Sequence, residues 1–158
     1  MRIVVTAGPT REYIDPVRFL SNASSGRMGC ALAAAAADVG HEVTLLAGGP
    51  AAEWAPPEVE VLPFTGAEEL QHLLINRFDG CDALVMAAAV GDFRPTRVLP
   101  SKIPRAGGPI TLNLAPTEDI LASLAPRKRP GQVVVAFALE TGGREEAGSK
   151  ARGELTRK

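Results

Sequence analysis

Two stretches of the chain hold residues that can do chemistry. The first, Thr6–Gly29, reads T-A-G-P-T-R-E-Y-I-D-P-V-R-F-L-S-N-A-S-S-G-R-M-G. Ser24, Ser25 and Gly26 precede a long alanine-rich stretch, so hydroxyls and unpaired backbone N–H groups at a helix start can face an anion. Gly8, directly after an apolar run, lets backbone approach a ligand closely. The stretch is not a Walker A loop, because G-x-x-x-x-G-K-S/T is missing. Nor is it the G-x-G-x-x-G dinucleotide fingerprint, of which Gly26-Arg27-Met28-Gly29 supplies only a fragment. Ser24 or Ser25 can equally be a plain helix cap. On the residues alone, phosphate binding and capping stay equally open.

The second stretch contains A-A-A-V-G-D-F-R-P and then S-K-I-P-R. Asp92 follows an apolar strand pattern and can accept hydrogen bonds from sugar hydroxyls, or simply begin a turn. Lys102 and Arg105 lie on a long connecting segment that can close over phosphates and neutralise developing charge. Read without other information, a solvated basic loop is the simpler account of them.

These residues need a scaffold, and composition bounds what it can be. The chain has 158 residues, 46% hydrophobic and 22% charged, which suits one globular domain with a core. A formal net charge of -1 gives no electrostatic argument for nucleic acid or an anionic membrane as partner. Cys30 and Cys81 form no CxxC pair and read as small buried thiols in a reducing compartment. His41 and His72 have no ligand-like spacing with either cysteine, which disfavours a metal site. The opening M-R-I-V-V-T-A-G is too short an apolar stretch for a signal peptide. The apolar run Cys30–Ala37 is far below the roughly 18 residues that span a bilayer. A soluble, cytoplasmic protein is expected.

Strand patterns cover Arg2–Thr6, Glu42–Leu46, Val59–Phe64, Ala83–Ala88 and Val133–Leu139, mostly in apolar runs of the kind buried on both faces. Ile110–Leu114 alternates apolar and polar residues and is expected at a sheet edge. Helical patterns alternate with the strands. Gly26–Val39 is alanine-rich and ends at Gly40. Thr65-Gly66-Ala67-Glu68 fits a capping box, after which Leu70, Leu73, Leu74 and Phe78 share a face. Thr117-Glu118-Asp119 opens a further helix, with acids at the positive end of the dipole and Ile120, Leu121 and Leu124 inward. The alternation predicts an α/β fold: a Rossmann-like, doubly wound, mostly parallel sheet covered by helices on both faces. Both chemistry-bearing stretches follow the C-terminal ends of predicted strands, where open parallel sheets bind ligands. A last helix is expected from about Glu145. Such a helix normally leads to another strand, so residues 1–158 are expected to be a single domain truncated at its C-terminus.

With both loops read, the chain resembles phosphopantothenoylcysteine synthetase, the phosphopantothenate–cysteine ligase of coenzyme A biosynthesis. The resemblance rests on G-P-T-R-E-Y-I-D-P-V-R-F-L-S-N-A-S-S-G-R-M-G, A-A-A-V-G-D-F-R-P, S-K-I-P-R, P-T-E-D-I-L and F-A-L-E-T, in that order over nearly the whole chain. It implies a CTP-dependent enzyme. The 4′-phosphopantothenate carboxylate attacks the α-phosphate of CTP, giving an acyl-cytidylate and pyrophosphate. The cysteine amine then displaces CMP. Mg²⁺ on the phosphates offsets charge build-up.

The resemblance also assigns residues. Asn22 matches the asparagine that holds the acyl-cytidylate, and Lys102 the first lysine of a K-x-K-K flap on the nucleotide phosphates. Here the flap reads K-I-P-R: Arg105 keeps the last charge, and Pro104 in place of a lysine is expected to remove one phosphate contact and stiffen the loop. Met86, Ala87, Ala88 and Asp92 match the segment lining the nucleotide. Glu118, Asp119, Ile120 and Leu121 match a helix start along its base and sugar, and Phe137 an aromatic that packs on it. Arg18 matches an arginine on the pantothenate side, where subunits of the family's dimer meet. Gly8, Ser24, Ser25, Gly26 and Ala89 fall to the substrate side. Lys158 aligns with the second of two basic residues that reach the triphosphate, whereas the first falls at Glu154, of opposite sign.

The implied partners are the small-molecule substrates, a second subunit in the full-length protein and a fused flavin-dependent decarboxylase domain. A non-catalytic nucleotide-binding paralogue competes with this reading on the strength of the altered flap and short C-terminus. An NAD(P)-dependent reductase competes less well, since the only tyrosine, Tyr13, lies in the first loop and no Tyr-x-x-x-Lys pair occurs.

Overall fold

A computed structural model of the chain describes residues 1–105, 108–141 and 143–157. Five strands form its central sheet: β1 (Arg2–Ala7), β4 (Glu42–Gly48), β5 (Glu60–Phe64), β6 (Ala83–Met86) and β9 (Val133–Ala136). Their order is β5-β4-β1-β6-β9 and every pairing is parallel. The chain starts in the middle of the sheet, builds one side, then crosses to the other. The point of reversal lies between β1 and β6.

Side-chain alternation along each strand divides the core in two. Val5, Ala7, Val43 and Leu45 face one side and pack with Cys30 and Ala33 of helix α1 (Arg27–Asp38). Val4, Leu46 and Leu84 face the other. They pack with Leu70, Leu74 and Phe78 of α2 (Ala67–Phe78) and with Ile120 and Leu124 of α3 (Ile120–Leu124). Alanines on α1 allow close approach to the sheet, while α2 brings leucines and a phenylalanine. A fourth helix, α4 (Arg144–Arg157), follows β9. The doubly wound α/β architecture with helices on both faces is therefore the one expected from the sequence. Among the described residues, no helix is long and apolar enough to cross a membrane.

Several local expectations need correction. Ile110–Leu114 is not an edge strand of the main sheet. Only Leu114 belongs to a strand, β8 (Leu114–Pro116), which pairs antiparallel with β7 (Phe93–Pro95) in a separate ribbon. The prolines in both strands hid them, since proline cannot complete a ladder. The strand from Ala83 ends at Met86, and that from Val133 ends at Ala136; the apolar residues beyond are loop. A second ribbon, β2 (Arg11–Tyr13) with β3 (Phe19–Ser21), sits inside the first loop. The capping box is shifted by one residue. Gly66, not Thr65, is the α2 N-cap, and the Glu69 carboxylate accepts the Thr65 N–H at 2.7 Å. The Ala67 N–H at the start of α2 donates to Glu12 of the first loop at 2.9 Å, a cap from 55 residues away.

Candidate active site

The first and second loops leave β1 and β6 side by side, so the parallel pairing continues past both strand ends. Ala89 N–H donates to the Gly8 carbonyl at 2.9 Å, Thr10 N–H donates to the Ala89 carbonyl at 3.2 Å, and Pro9 and Ala89 form an isolated parallel bridge. Two fully buried threonines then shape the second loop. Thr6 Oγ1 accepts the Ala88 N–H at 3.0 Å, and Thr10 Oγ1 accepts the Gly91 N–H at 2.9 Å. Thr117, ahead of α3, donates through Oγ1 to the Gly91 carbonyl at 2.6 Å, and its N–H donates to the Asp92 carbonyl at 2.9 Å. Three threonines from three segments thus hold residues 88–92 in one path.

Asn22 stands over this junction. Its amide nitrogen donates to the carbonyls of Val90 at 3.0 Å and Ala89 at 3.4 Å. The side chain is exposed, and its oxygen has no protein partner among the described residues. The Asn22 amide therefore has its donors turned to the second loop. Ala87, Ala88 and Ala89 are half-buried, and Asp92 is exposed on the same loop. Phe137 joins the group from β9: its N–H donates to the Met86 carbonyl at 3.0 Å and its ring is half exposed.

Some expected site residues are placed otherwise. Met86 and Ile120 are core residues, with Met86 Sδ accepting the Thr6 hydroxyl at 3.7 Å, so neither side chain lines an open site. Leu121 packs against the same core cluster. Asp119 is the α3 N-cap, its carboxylate accepting the Ala122 N–H at 3.0 Å, while Glu118 beside it is exposed. Lys158 and the Glu154 side chain lie outside the described residues.

Gly8 and Gly26 serve packing. Both have positive φ, at 84° and 77°, and a side chain on Gly8 would stand 2.0 Å from the Gly48 carbonyl oxygen. One on Gly26 would stand 2.4 Å from Ala51 Cβ. The 3₁₀ turn Gly49–Trp54 that follows β4 thus covers both glycines, and the closely approaching backbone is the protein's own. Gly26 is also the α1 N-cap. No side chain caps this helix; the Ser24 hydroxyl accepts the Gly26 N–H at 3.3 Å just ahead of it, and Ser25 is exposed. The capping reading of the serines is therefore not met at α1.

Arg18 and Lys102 gather at a second place. With Ile103, Pro104, Arg105 and Ile110 they line a cleft of about 520 Å³. Fully buried Asp15 connects this cleft to the first loop. Asp15 Oδ1 accepts the N–H groups of Val17 and Arg18, both at 2.8 Å. Oδ2 accepts Arg18 Nη1 and the Ile103 N–H, both at 3.1 Å. Arg18 Nη2 donates to the Ile103 carbonyl at 3.1 Å. Burial pushes the Asp15 carboxyl up, but the N–H groups of Ile103, Val17 and Arg18 and the Arg18 charge together hold it below the usual carboxylate range.

Sequence reading missed Thr6, Thr10, Asp15 and Thr117. Only Asp15 carried a signal, since Asp-Pro with an arginine three residues on marks an Asx-type turn. A further cleft of about 570 Å³, between β2, β7 and α2, contains none of the expected residues.

The fold and the junction define a doubly wound α/β domain whose candidate site is built from loops at its strand-order reversal. The whole chain, residues 1–158, matches the model of the DNA/pantothenate metabolism flavoprotein C-terminal domain. It is 44% identical over 147 residues to the Coenzyme A biosynthesis bifunctional protein CoaBC of Mycobacterium tuberculosis H37Rv, covering 89% of this chain and 35% of that protein. It is 47% identical over 140 residues to a cysteine/cysteine sulfinic acid decarboxylase from an unknown prokaryotic organism, covering 89% of this chain and 39% of that protein. The solved C-terminal domain of a CoaBC protein superposes with a TM-score of 0.81 at 38% identity, over 97% of this chain and 71% of that one. The chain belongs to the DNA/pantothenate metabolism flavoprotein C-terminal domain family. It spans less than two fifths of the length of the curated relatives named above.

Proposed function

We propose that this domain is a phosphopantothenate–cysteine ligase that works through an acyl-cytidylate. The observation that carries the reading is the Asn22 amide, anchored on the second loop where the strand order reverses, with the Asp92 loop and Phe137 around it. The 44% identity to proteins named for coenzyme A biosynthesis supports it. The decarboxylase name belongs to a relative of which this chain spans 39%.

A carboxylate resists amines because its charge repels them and oxide leaves poorly. In the first step a carboxylate oxygen of 4′-phosphopantothenate bonds to the α-phosphorus of CTP as the bond to pyrophosphate breaks. In the second, the cysteine nitrogen bonds to the acyl carbon, the bond to the CMP oxygen breaks, and the ammonium proton is lost. Asn22 offers its oxygen, fixed in direction by its donors, to the intermediate. Lys102 and Arg105 bring positive charge to the phosphates as pyrophosphate leaves. Ser24, Ser25 and the uncapped start of α1 supply donors for the substrate phosphate. Glu118 and the backbone of Met86 and Ile120 border the nucleotide.

The donor set fits Mg²⁺ carried mainly by phosphates: Asp92 is one exposed carboxylate at the junction, and such sites take one or two carboxylates plus substrate oxygens. When bound, the ion would offset phosphate charge. Arg18 matches an arginine that the resemblance puts where subunits meet, so a homodimer is part of the proposal, as are a cytoplasmic location and a fused decarboxylase domain. Pro104 in the flap keeps a non-catalytic nucleotide-binding role as the second reading, whereas the covered Gly8 and Gly26 surfaces speak against a dinucleotide-dependent reductase.

The test is pyrophosphate release from CTP and Mg²⁺, with and without 4′-phosphopantothenate and cysteine. Release that requires phosphopantothenate is expected, with Asn22→Asp stalling the second step and Lys102→Gln slowing the first. No dependence on phosphopantothenate refutes the ligase, and equal, negligible effects of both substitutions refute the assigned roles.

A further inference from the structure

We propose that Asp15 is a positioning residue whose buried carboxylate ties the Lys102 segment to the loop that carries Asn22. The two oxygens divide the work. Oδ1 closes a local turn on the N–H groups of Val17 and Arg18, where backbone bonds from Ile14 and Asp15 to the Arg18 carbonyl already run at 2.8 and 3.3 Å. Oδ2 reaches across 88 residues of sequence to the Ile103 N–H and also holds Arg18 Nη1. Arg18 Nη2 closes the ring on the Ile103 carbonyl, and the Leu99 N–H donates to the Ile14 carbonyl at 2.9 Å on the near side. Both peptide groups of Ile103 are therefore fixed by the first loop, one residue from Lys102. The Asp15 side chain is fully buried, so water cannot replace these bonds without opening the segment.

The consequence is that the cations at 102 and 105 are held in place by the same hairpin that carries Asn22. This deepens the ligase reading and rests on it for what Lys102 and Asn22 do. The physical tie itself does not.

Asp15→Asn separates the two functions of the carboxylate. The amide oxygen can keep the turn, whereas the amide nitrogen cannot accept from Ile103 or Arg18. Trypsin reads the tie directly, because Lys102 and Lys128 are both exposed cleavage points on different parts of the fold. Loss of these two charge-assisted bonds is expected to speed cleavage after Lys102 by roughly tenfold or more. Cleavage after Lys128 stays at the wild-type rate. Arg18→Lys, which keeps a cation but not the fork to Asp15 and Ile103, is expected to act in the same direction. In the pyrophosphate assay, kcat/KM for CTP is expected to fall by about 10- to 100-fold, as displaced charge at a reacting centre does, with KM for cysteine unchanged.

A merely structural role would raise cleavage at both lysines together, and that result overturns the proposal. So does unchanged cleavage after Lys102 in both variants. Absence of phosphopantothenate-dependent release from the wild-type protein overturns the ligase reading instead, and the Lys102 cleavage ratio then decides the tie by itself.

Discussion

Replacing Thr10 by valine removes one atom's chemistry from the junction and almost nothing else. Valine has the same branched shape, so strand-like backbone and packing are retained. What is lost is the oxygen that accepts the Gly91 N–H at 2.9 Å, in a side chain with no exposure to water. A buried donor left without a partner costs about 1–3 kcal/mol. At about 2 kcal/mol, and a urea slope of about 2 kcal/mol per M, the unfolding midpoint falls by about 1 M with the slope unchanged. Hydrogen exchange localises the effect. The Gly91 amide should exchange about 30-fold faster, since each ~1.4 kcal/mol is tenfold, whereas amides in β4 and β5 change only with global stability. Thr10→Ser is the control. It keeps the acceptor and loses one methyl group, about 0.8 kcal/mol plus a small cavity. Serine equal to valine in destabilisation, or a Gly91 amide protected as in wild type in the valine variant, would refute the reasoning. Pyrophosphate release should follow the same order, because residues 88–92 carry the Asn22 anchor.

Other consequences are equally direct. Gly8→Ala should destabilise by at least about 3 kcal/mol, combining positive φ with a backbone clash, whereas Gly40→Ala should cost only about 1–2 kcal/mol because its φ of 85° is matched by open space; chemical denaturation of both variants measures the contrast. Cys30 and Cys81 are buried, and burial pushes both thiols up, so each should react with a thiol reagent at neutral pH only as fast as the protein opens, and immediately in denaturant. Acid stability has a definite sign. Asp15, Asp79, Asp82 and Glu60 all titrate below their ordinary values in the folded protein, so their contribution is complete above about pH 5. It is lost as pH falls through the ordinary values of 3.8 and 4.5 and then the lower folded ones. Urea midpoints measured from pH 6 to pH 3 should therefore be flat and then drop, and a steady rise toward acid would contradict the assigned partners.

The central strands of the main sheet, β1, β4 and β6, were legible because they are buried on both faces, whereas β9, read the same way from its apolar run, leaves Val133 and Val135 exposed. Val4 and Val5 both had to be apolar, since one meets α2 and α3 and the other meets α1. The same logic marked Leu70, Leu74 and Phe78 as one helical face. Legibility failed where elements are short and are held by tertiary contacts. Phe93–Pro95 and Leu114–Pro116 are three-residue strands with proline inside, and neither has a pattern of its own. The α2 cap was misplaced because its donor is satisfied by Glu12 from a distant loop, which no local window contains.

The candidate site divides in the same way. The order of residue types around Asn22, Asp92 and Lys102 determined the family resemblance and the chemistry to look for. The alternation of strands and helices determined that both loops emerge on the same edge of a sheet. Only the tertiary structure decided which of those residues face outward. Met86 and Ile120 turned into the core because the sheet needs its apolar faces covered, and Gly8 and Gly26 turned to the Gly49–Trp54 segment because that segment fills the space above them. Only the tertiary structure, too, made Asp15 the tie between the loops. A carboxylate declares its charge in the sequence, but the four donors that hold this one come from residues 17, 18 and 103, and only the folded chain brings them to one point.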